Sequence, residues 1–197
     1  MSTRFLTWLL CAATLLAACS STPPPRFHSL LSGVVPLAQP PAASALAWQL
    51  APVTVPAQVD QPQFVVRRAD ETLAVLEQER WIAPLQDELR AALAEQLSQT
   101  LGSPGASPGP GRKDWRVTVD VSRFDSAPGR TLLVLQWSVS ARGSAEPLLR
   151  CQGRYEQTVA ADMAAIAQGH RLAVQRLAAA MAPALLSLDA AKATACG

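Results

Sequence analysis

The sequence predicts one two-layer α/β domain: a mixed, largely antiparallel sheet covered on one side by two long amphipathic helices. Three observations lead there. Three runs after residue 113 alternate apolar and polar side chains with a period of two. Two stretches place apolar residues at every third or fourth position. Short apolar runs punctuated by proline precede them and read as further strands. Strict alternation means a sheet with one face to bury, and two apolar helical stripes are enough to cover it. A length of 197 residues suits one domain with a self-sufficient core.

The elements follow in order. Residues 27–31 form a short extended run. Residues 45–55 read as an apolar strand with Leu46, Trp48 and Leu50 on one face, and Pro52 breaks the alternation as at an edge or bulge. Residues 63–68 and 72–76 read as a hairpin around Ala69, Asp70 and Glu71. Residues 82–101 read as a helix with Ile82, Leu85, Leu89, Leu93 and Leu97 as its stripe. Pro84 falls in the first turn of that helix, where its missing N–H costs little.

The Gly/Pro-rich stretch 102–111 is a connection. It lacks the Gly-Lys-Ser/Thr ending of a phosphate loop, because Arg112, Lys113 and Asp114 follow Gly111. Trp115, Val117, Val119 and Val121 then alternate with polar residues. So do Leu133, Leu135, Trp137 and Val139, and then Leu149, Cys151 and Tyr155. Turns at Pro128 and Gly129 and at Gly143 and Ser144 join these into an antiparallel meander. Residues 161–188 close the chain as an Ala-rich helix begun by Asp162, with Ile166, Val174, Leu177, Met181 and Leu185 inward.

The N-terminus carries the most specific signal. Arg4 precedes an uncharged apolar run over residues 5–18, shorter than the roughly 20 residues a bilayer span requires. It reads as a secretory signal of residues 1–18. The run ends in Leu16, Ala17, Ala18 and Cys19, the pattern of a bacterial lipobox. The Cys19 thiol would accept a diacylglyceryl group, and the new amine a further acyl chain such as palmitate. Several chains together give a durable anchor, at about 0.8 kcal/mol per buried CH₂. Ser20 lacks the carboxylate that retains lipoproteins in the inner membrane, so the expected location is the periplasmic face of the outer membrane. Residues 19–26 form a Pro-rich tether, residues 27–190 the domain and residues 191–197 a flexible tail.

Composition excludes more than it assigns. Seventeen basic and fifteen acidic residues give a formal charge of +2, without the basic clustering of a nucleic-acid binder. There is no Gly-x-Ser-x-Gly, His-Glu-x-x-His or Cys-x-x-Cys pattern. Asp87 and Glu88 are adjacent on a helix and face different ways. The expectation is a non-enzyme without cofactor or metal; His28 and His170 read as structural. An oxidising compartment permits a Cys151–Cys196 disulfide. Their settings, a strand interior and a frayed tail, read instead as a small hydrophobe and a free thiol.

A second set of residues joins the lipobox: Leu50 to Pro56 (LAPVTVP), Val59 to Arg67 (VDQPQFVVR) and Arg80 to Leu89 (RWIAPLQDEL). Together they resemble the PqiC/YmbA family of ABC-type transport auxiliary lipoproteins over nearly the whole mature chain. The resemblance implies folds similar to the anticodon-binding domain and the TolB N-terminal domain. It further implies an outer-membrane lipoprotein that docks an MCE-domain protein of an inner-membrane lipid transporter, with homo-oligomeric rings around the distal end of the MCE tube. Pro56, Asp60, Pro62, Arg67 and Arg68 form the candidate partner interface, since their pattern is not needed for the sheet alone. Two other readings remain open, a lipid carrier with an acyl cavity between sheet and helices and a structural envelope lipoprotein.

Overall fold

The structure, a computed structural model, describes residues 23–31, 46–105, 107 and 113–196. Cys19, Ser20 and the signal segment lie outside the described residues. Seven strands and two helices follow the expected order: β1 (Arg26–His28), β2 (Trp48–Leu50), β3 (Gln63–Arg67), β4 (Leu73–Trp81), α1 (Leu85–Leu101), β5 (Trp115–Ala127), β6 (Arg130–Ala141), β7 (Leu149–Thr158) and α2 (Met163–Asp189). One mixed sheet runs β1-β4-β3-β5-β6-β7, with β2 also on β5. The β3–β4 and β5–β6–β7 pairs are antiparallel, while β1 on β4 and β2 and β3 on β5 are parallel.

Strand β5 organises the sheet. Along one edge it pairs with β6 throughout its length. Along the other it takes β2 at Trp115–Val117, a bridge to Thr54 at Asp120, and β3 at Ser126. The strand expected over 45–55 is thus shorter than the apolar run suggests. Pro52 has no N–H to donate, so pairing lapses after Leu50 and resumes at Thr54, while Ala51 and Thr54 still donate to Val117 and Val119 at 2.8 and 3.2 Å. A bulge between Val121 and Arg123 adds one residue and restores the inward face at Phe124, opposite Leu133.

The helices bury the apolar face. Leu85, Leu89, Leu93 and Leu97 of α1 are buried as expected, but Ile82 is 60% exposed and lies outside the helix. The reason is ladder pairing. Ile82 donates its N–H to the His28 carbonyl at 2.9 Å, so β4 extends to Trp81 and the helix starts three residues later than Ile82. Asp162 caps α2 by accepting from the Ala165 N–H at 2.9 Å. By length and composition α2 could cross a membrane, but here its stripe of Ile166, Val174, Leu177, Met181 and Leu185 is spent on the sheet. Gly169 lets α2 approach closely, because a Cβ there would lie 2.7 Å from Val159 and 2.8 Å from the Thr131 hydroxyl.

The cysteine reading is corrected. Cys151 and Cys196 are joined in a disulfide with Cα atoms 5.5 Å apart. After α2 the chain reverses through Ala191, whose φ is +54°, and returns to the start of β7. Proximity in sequence gave no hint of this, because the pairing depends on where α2 ends. The closed loop spans 45 residues, for which chain entropy suggests a stabilisation of about 4 kcal/mol, with measured values for disulfides usually about 2–4. Reductant should therefore lower the urea midpoint of the wild type, and Cys196→Ser should show the lowered midpoint with no further response to reductant. Chemical denaturation with and without dithiothreitol measures both.

Candidate functional site

The segment that leads in from the tether is held by two buried carboxylates. Arg26 and His28 of β1 both reach Glu79 of β4, His28 Nε2 at 2.7 Å from Oε2, and the Glu79 side chain is only 6% exposed. Two residues on, Glu88 of α1 accepts the Leu30 N–H at 2.7 Å and the Ser29 hydroxyl at 2.8 Å through Oε2. Glu88 lies on the buried stripe of α1 with Leu85, Leu89 and Ala92, whereas Asp87 faces solvent. A buried carboxylate needs such donors. Sequence reasoning passed over Glu79 and weighed Glu88 only as an acid–base partner for Asp87, missing its role in the clamp. The available signal was a glutamate at the inward phase of a helix and another at the inward phase of a strand.

Beside this clamp lies an aromatic cluster. Phe64 stacks on Trp81 at 4.0 Å, Trp81 meets Phe124 edge-on at 6.1 Å, and Phe124 stacks on His170 at 3.8 Å. His28 closes the row against Phe64 at 5.0 Å. Trp81 thus ends a strand and binds β3, β4, β5 and α2 together.

His170 Nε2 lies 2.9 Å from the Ser126 hydroxyl, the geometry of a nucleophile and its base. Both are buried, with His170 at 0% and Ser126 at 2% exposure, so neither meets a substrate in this conformation. Burial drives the His170 pKa down to about 3, and nearby Asp125 offsets this only in part. The folded state therefore keeps His170 neutral, while the unfolded chain takes up a proton near pH 6.5. Stability from this group is full above pH 6.5 and is lost progressively as pH falls from 6.5 toward 3. Denaturation midpoints should drop over that window by the equivalent of a few kcal/mol, and His170→Phe should flatten the dependence.

The five candidate interface residues do not form one patch. Pro56, Asp60 and Pro62 precede β3, where Pro56 accepts the Val59 N–H at 3.0 Å and Pro62 accepts the Trp81 N–H at 2.7 Å. Arg67 and Arg68 lie at the other end of β3, roughly 15 Å away for a strand of this length. Arg67 is engaged with Asp125 at 3.1 Å and with Glu71 at 3.6 Å on the uncovered face of the sheet. Arg68 and Asp60 are exposed. His28 and His170 join no metal-binding group among the described residues.

Between sheet and helices, the void lined by Val53, Leu89, Val121, Leu135 and Val174 measures ≈ 10 Å³. That is about one water-sized sphere; holding a drug-sized ligand takes several hundred Å³. Open grooves of ≈ 700 and ≈ 610 Å³ flank Gln49 and Arg142, one toward α1 and one on the uncovered sheet face.

The family model described as ABC-type transport auxiliary lipoprotein component matches residues 30–182. The chain belongs to this family. The matched residues run from the Leu30 that Glu88 holds to Ala182 in α2, so the match takes in α1, most of α2 and β2 to β7 of this auxiliary lipoprotein. A crystal structure of an uncharacterised protein is similar at a TM-score of 0.63 and 19% identity, covering 82% of this chain and 98% of that one. A Xanthomonas campestris protein of the DUF330 family is similar at 0.60 and 17% identity, over 84% and 95% of the two chains. At such identities the likeness is one of fold. No curated protein matches in sequence.

The clamp has a measurable consequence. Glu88→Ala in the auxiliary lipoprotein strands the Leu30 N–H and the Ser29 hydroxyl. A hydrogen bond to a charged group contributes about 1.5–3 kcal/mol. Hydrogen exchange should show the Leu30 amide losing protection, with a global loss of about 2–4 kcal/mol, the exposed side of Ser29 being open to water.

Proposed function

We propose that this chain is a non-catalytic envelope lipoprotein, fixed by acylated Cys19 to the periplasmic face of the outer membrane, that docks an MCE-domain protein of an inner-membrane ABC-type lipid transporter. Family membership supplies an auxiliary role beside a transporter. The observation that carries the adaptor reading, as against a lipid carrier, is the packing between sheet and helices, where the void lined by Val53, Leu89 and Val174 measures ≈ 10 Å³. A protein that ferried an acyl chain there would need room for it. The lipobox ending at Cys19 supplies the anchor, and Ser20 directs it to the outer membrane.

The buried state of Ser126 and His170 supports a role without chemistry. What the domain offers instead is surface: the edge of β1, the turns at both ends of β3, and the polar sheet face. An exposed edge can accept a strand from a partner or from a second copy. Phe27 at 56% exposure and Ile82 at 60% flank that edge and supply apolar contact.

Affinity capture of the full protein from cell envelopes should recover an MCE-domain protein. Cys19→Ala should lose both acylation, read by mass spectrometry of the N-terminal peptide, and most of the capture. Ser20→Asp should shift the protein to the inner-membrane fraction. An unmodified wild-type N-terminus, or recovery of cell-wall factors alone, would overturn the proposal.

A further inference from the structure

On the uncovered face of the sheet, five arginines on or next to β3, β5, β6 and β7 are matched with carboxylates. Arg67 and Arg123 share Asp125; Arg130 and Arg154 share Glu156; Arg142 holds Asp114 at 2.9 Å. Glu156 is accordingly held below the usual carboxylate range, first by its hydrogen bond from Arg154. Arg116 and Arg150 differ. Both are exposed, both line the ≈ 610 Å³ groove, and among the described residues neither has a hydrogen-bond or ion-pair partner for its side chain.

Strand register places these two around a hydroxyl floor. Arg116 of β5 pairs across to Ser140 of β6, and Thr118 pairs with Ser138, which pairs in turn with Arg150 of β7. Arg116 and Arg150 thus stand at opposite corners of two adjacent cross-strand rows, with Ser138, Ser140 and Thr118 between them. Two strand spacings by two residues is roughly 12 Å between their Cα atoms, a span two arginine side chains can close over one small anion. Asp120, the nearest strand carboxylate, lies one row further along β5 and takes the Thr54 hydroxyl at 2.6 Å. Asp114 at the rim is already taken by Arg142 and by Gln49 at 3.3 Å.

We infer that the Arg116–Arg150 groove binds a phosphate group, with the two guanidiniums clamping its oxygens and the Ser138, Ser140 and Thr118 hydroxyls donating from below. Paired planar donors suit a tetrahedral oxyanion, and hydroxyls add hydrogen bonds without opposing charge. The groove is open and largely polar, so it takes the phosphate of a headgroup or a free phosphate and leaves any acyl chain outside.

The test uses the full mature protein in neutral detergent micelles and reads the arginine Nε–H resonances by NMR. Inorganic phosphate should move the Arg116 and Arg150 signals and leave Arg154 still. Arg116→Gln and Arg150→Gln should each weaken binding at least 10-fold, and the double variant should abolish it. Arg154→Gln should change binding less than 2-fold, and unchanged melting curves keep the comparison free of folding effects. Stronger shifts with phosphatidylglycerol-doped micelles than with glycerol 3-phosphate would identify a lipid headgroup as the source, and equal shifts a soluble phosphate; both support the site. No shift with any of these probes, or shifts that survive the double variant, would overturn it. None of these readings depends on an MCE partner, so their failure is separable from failure of the docking role.

Discussion

Pairing along both edges of β5 is the constraint on which the molecule rests. Backbone donors and acceptors that leave water must find partners, and a strand of this length at the centre of the sheet has two full rows to satisfy. The β6 hairpin fills one row. The other is filled by two separated pieces of chain, β2 and β3, which must arrive parallel and from far away in sequence. Pro52, without an N–H, marks the lapse after β2, and the turn at Pro56 carries the chain on toward β3. Once β3 is seated, β4 follows as its hairpin partner, β1 adds to β4, and the aromatic row from His28 to His170 locks the join to α2.

Much of this was legible in the residues, for physical reasons that also explain what was not. Alternation over β5, β6 and β7 was readable because a one-sided sheet forces it. The α2 stripe was readable because a core helix must show one. Ile82 was misplaced because its apolar side chain extends the periodicity of α1 backward, while the ladder from His28 claims its backbone. The disulfide was misread because burial of Cys151 and mobility expected of the tail are local properties, whereas a bond to Cys196 depends on how α2 terminates. The candidate interface split in two because residues near in sequence, such as Asp60 and Arg68, come to opposite ends of one strand. The clamping roles of Glu79 and Glu88 escaped notice because charge in an inward position makes sense only when its donors, supplied from residues 26–30, are in view.

The two faces of the sheet divide the labour. One is dry and filled, closed by Leu, Val and Trp side chains and by a His170 that burial keeps uncharged. The other is largely polar, with Arg–carboxylate pairs at its β3 end and the unmatched Arg116 and Arg150 over hydroxyls at its β2 end. Such a domain has its recognition chemistry on edges and on one face. That arrangement fits a protein whose family role is to accompany a transporter.

The direction of β1 has a mechanical meaning. It runs parallel to β4 and receives the chain from its N-terminal end, with Arg26, His28, Ser29 and Leu30 fastened in succession to Glu79 and Glu88. Tension applied at residue 23 along the strand loads these bonds side by side, in shear, and none can be peeled off ahead of the next. A fastening of this kind resists a steady tug far better than a hairpin opened from its tip, and it turns three residues of strand into a strain-relief fitting between a moving bilayer and a rigid body.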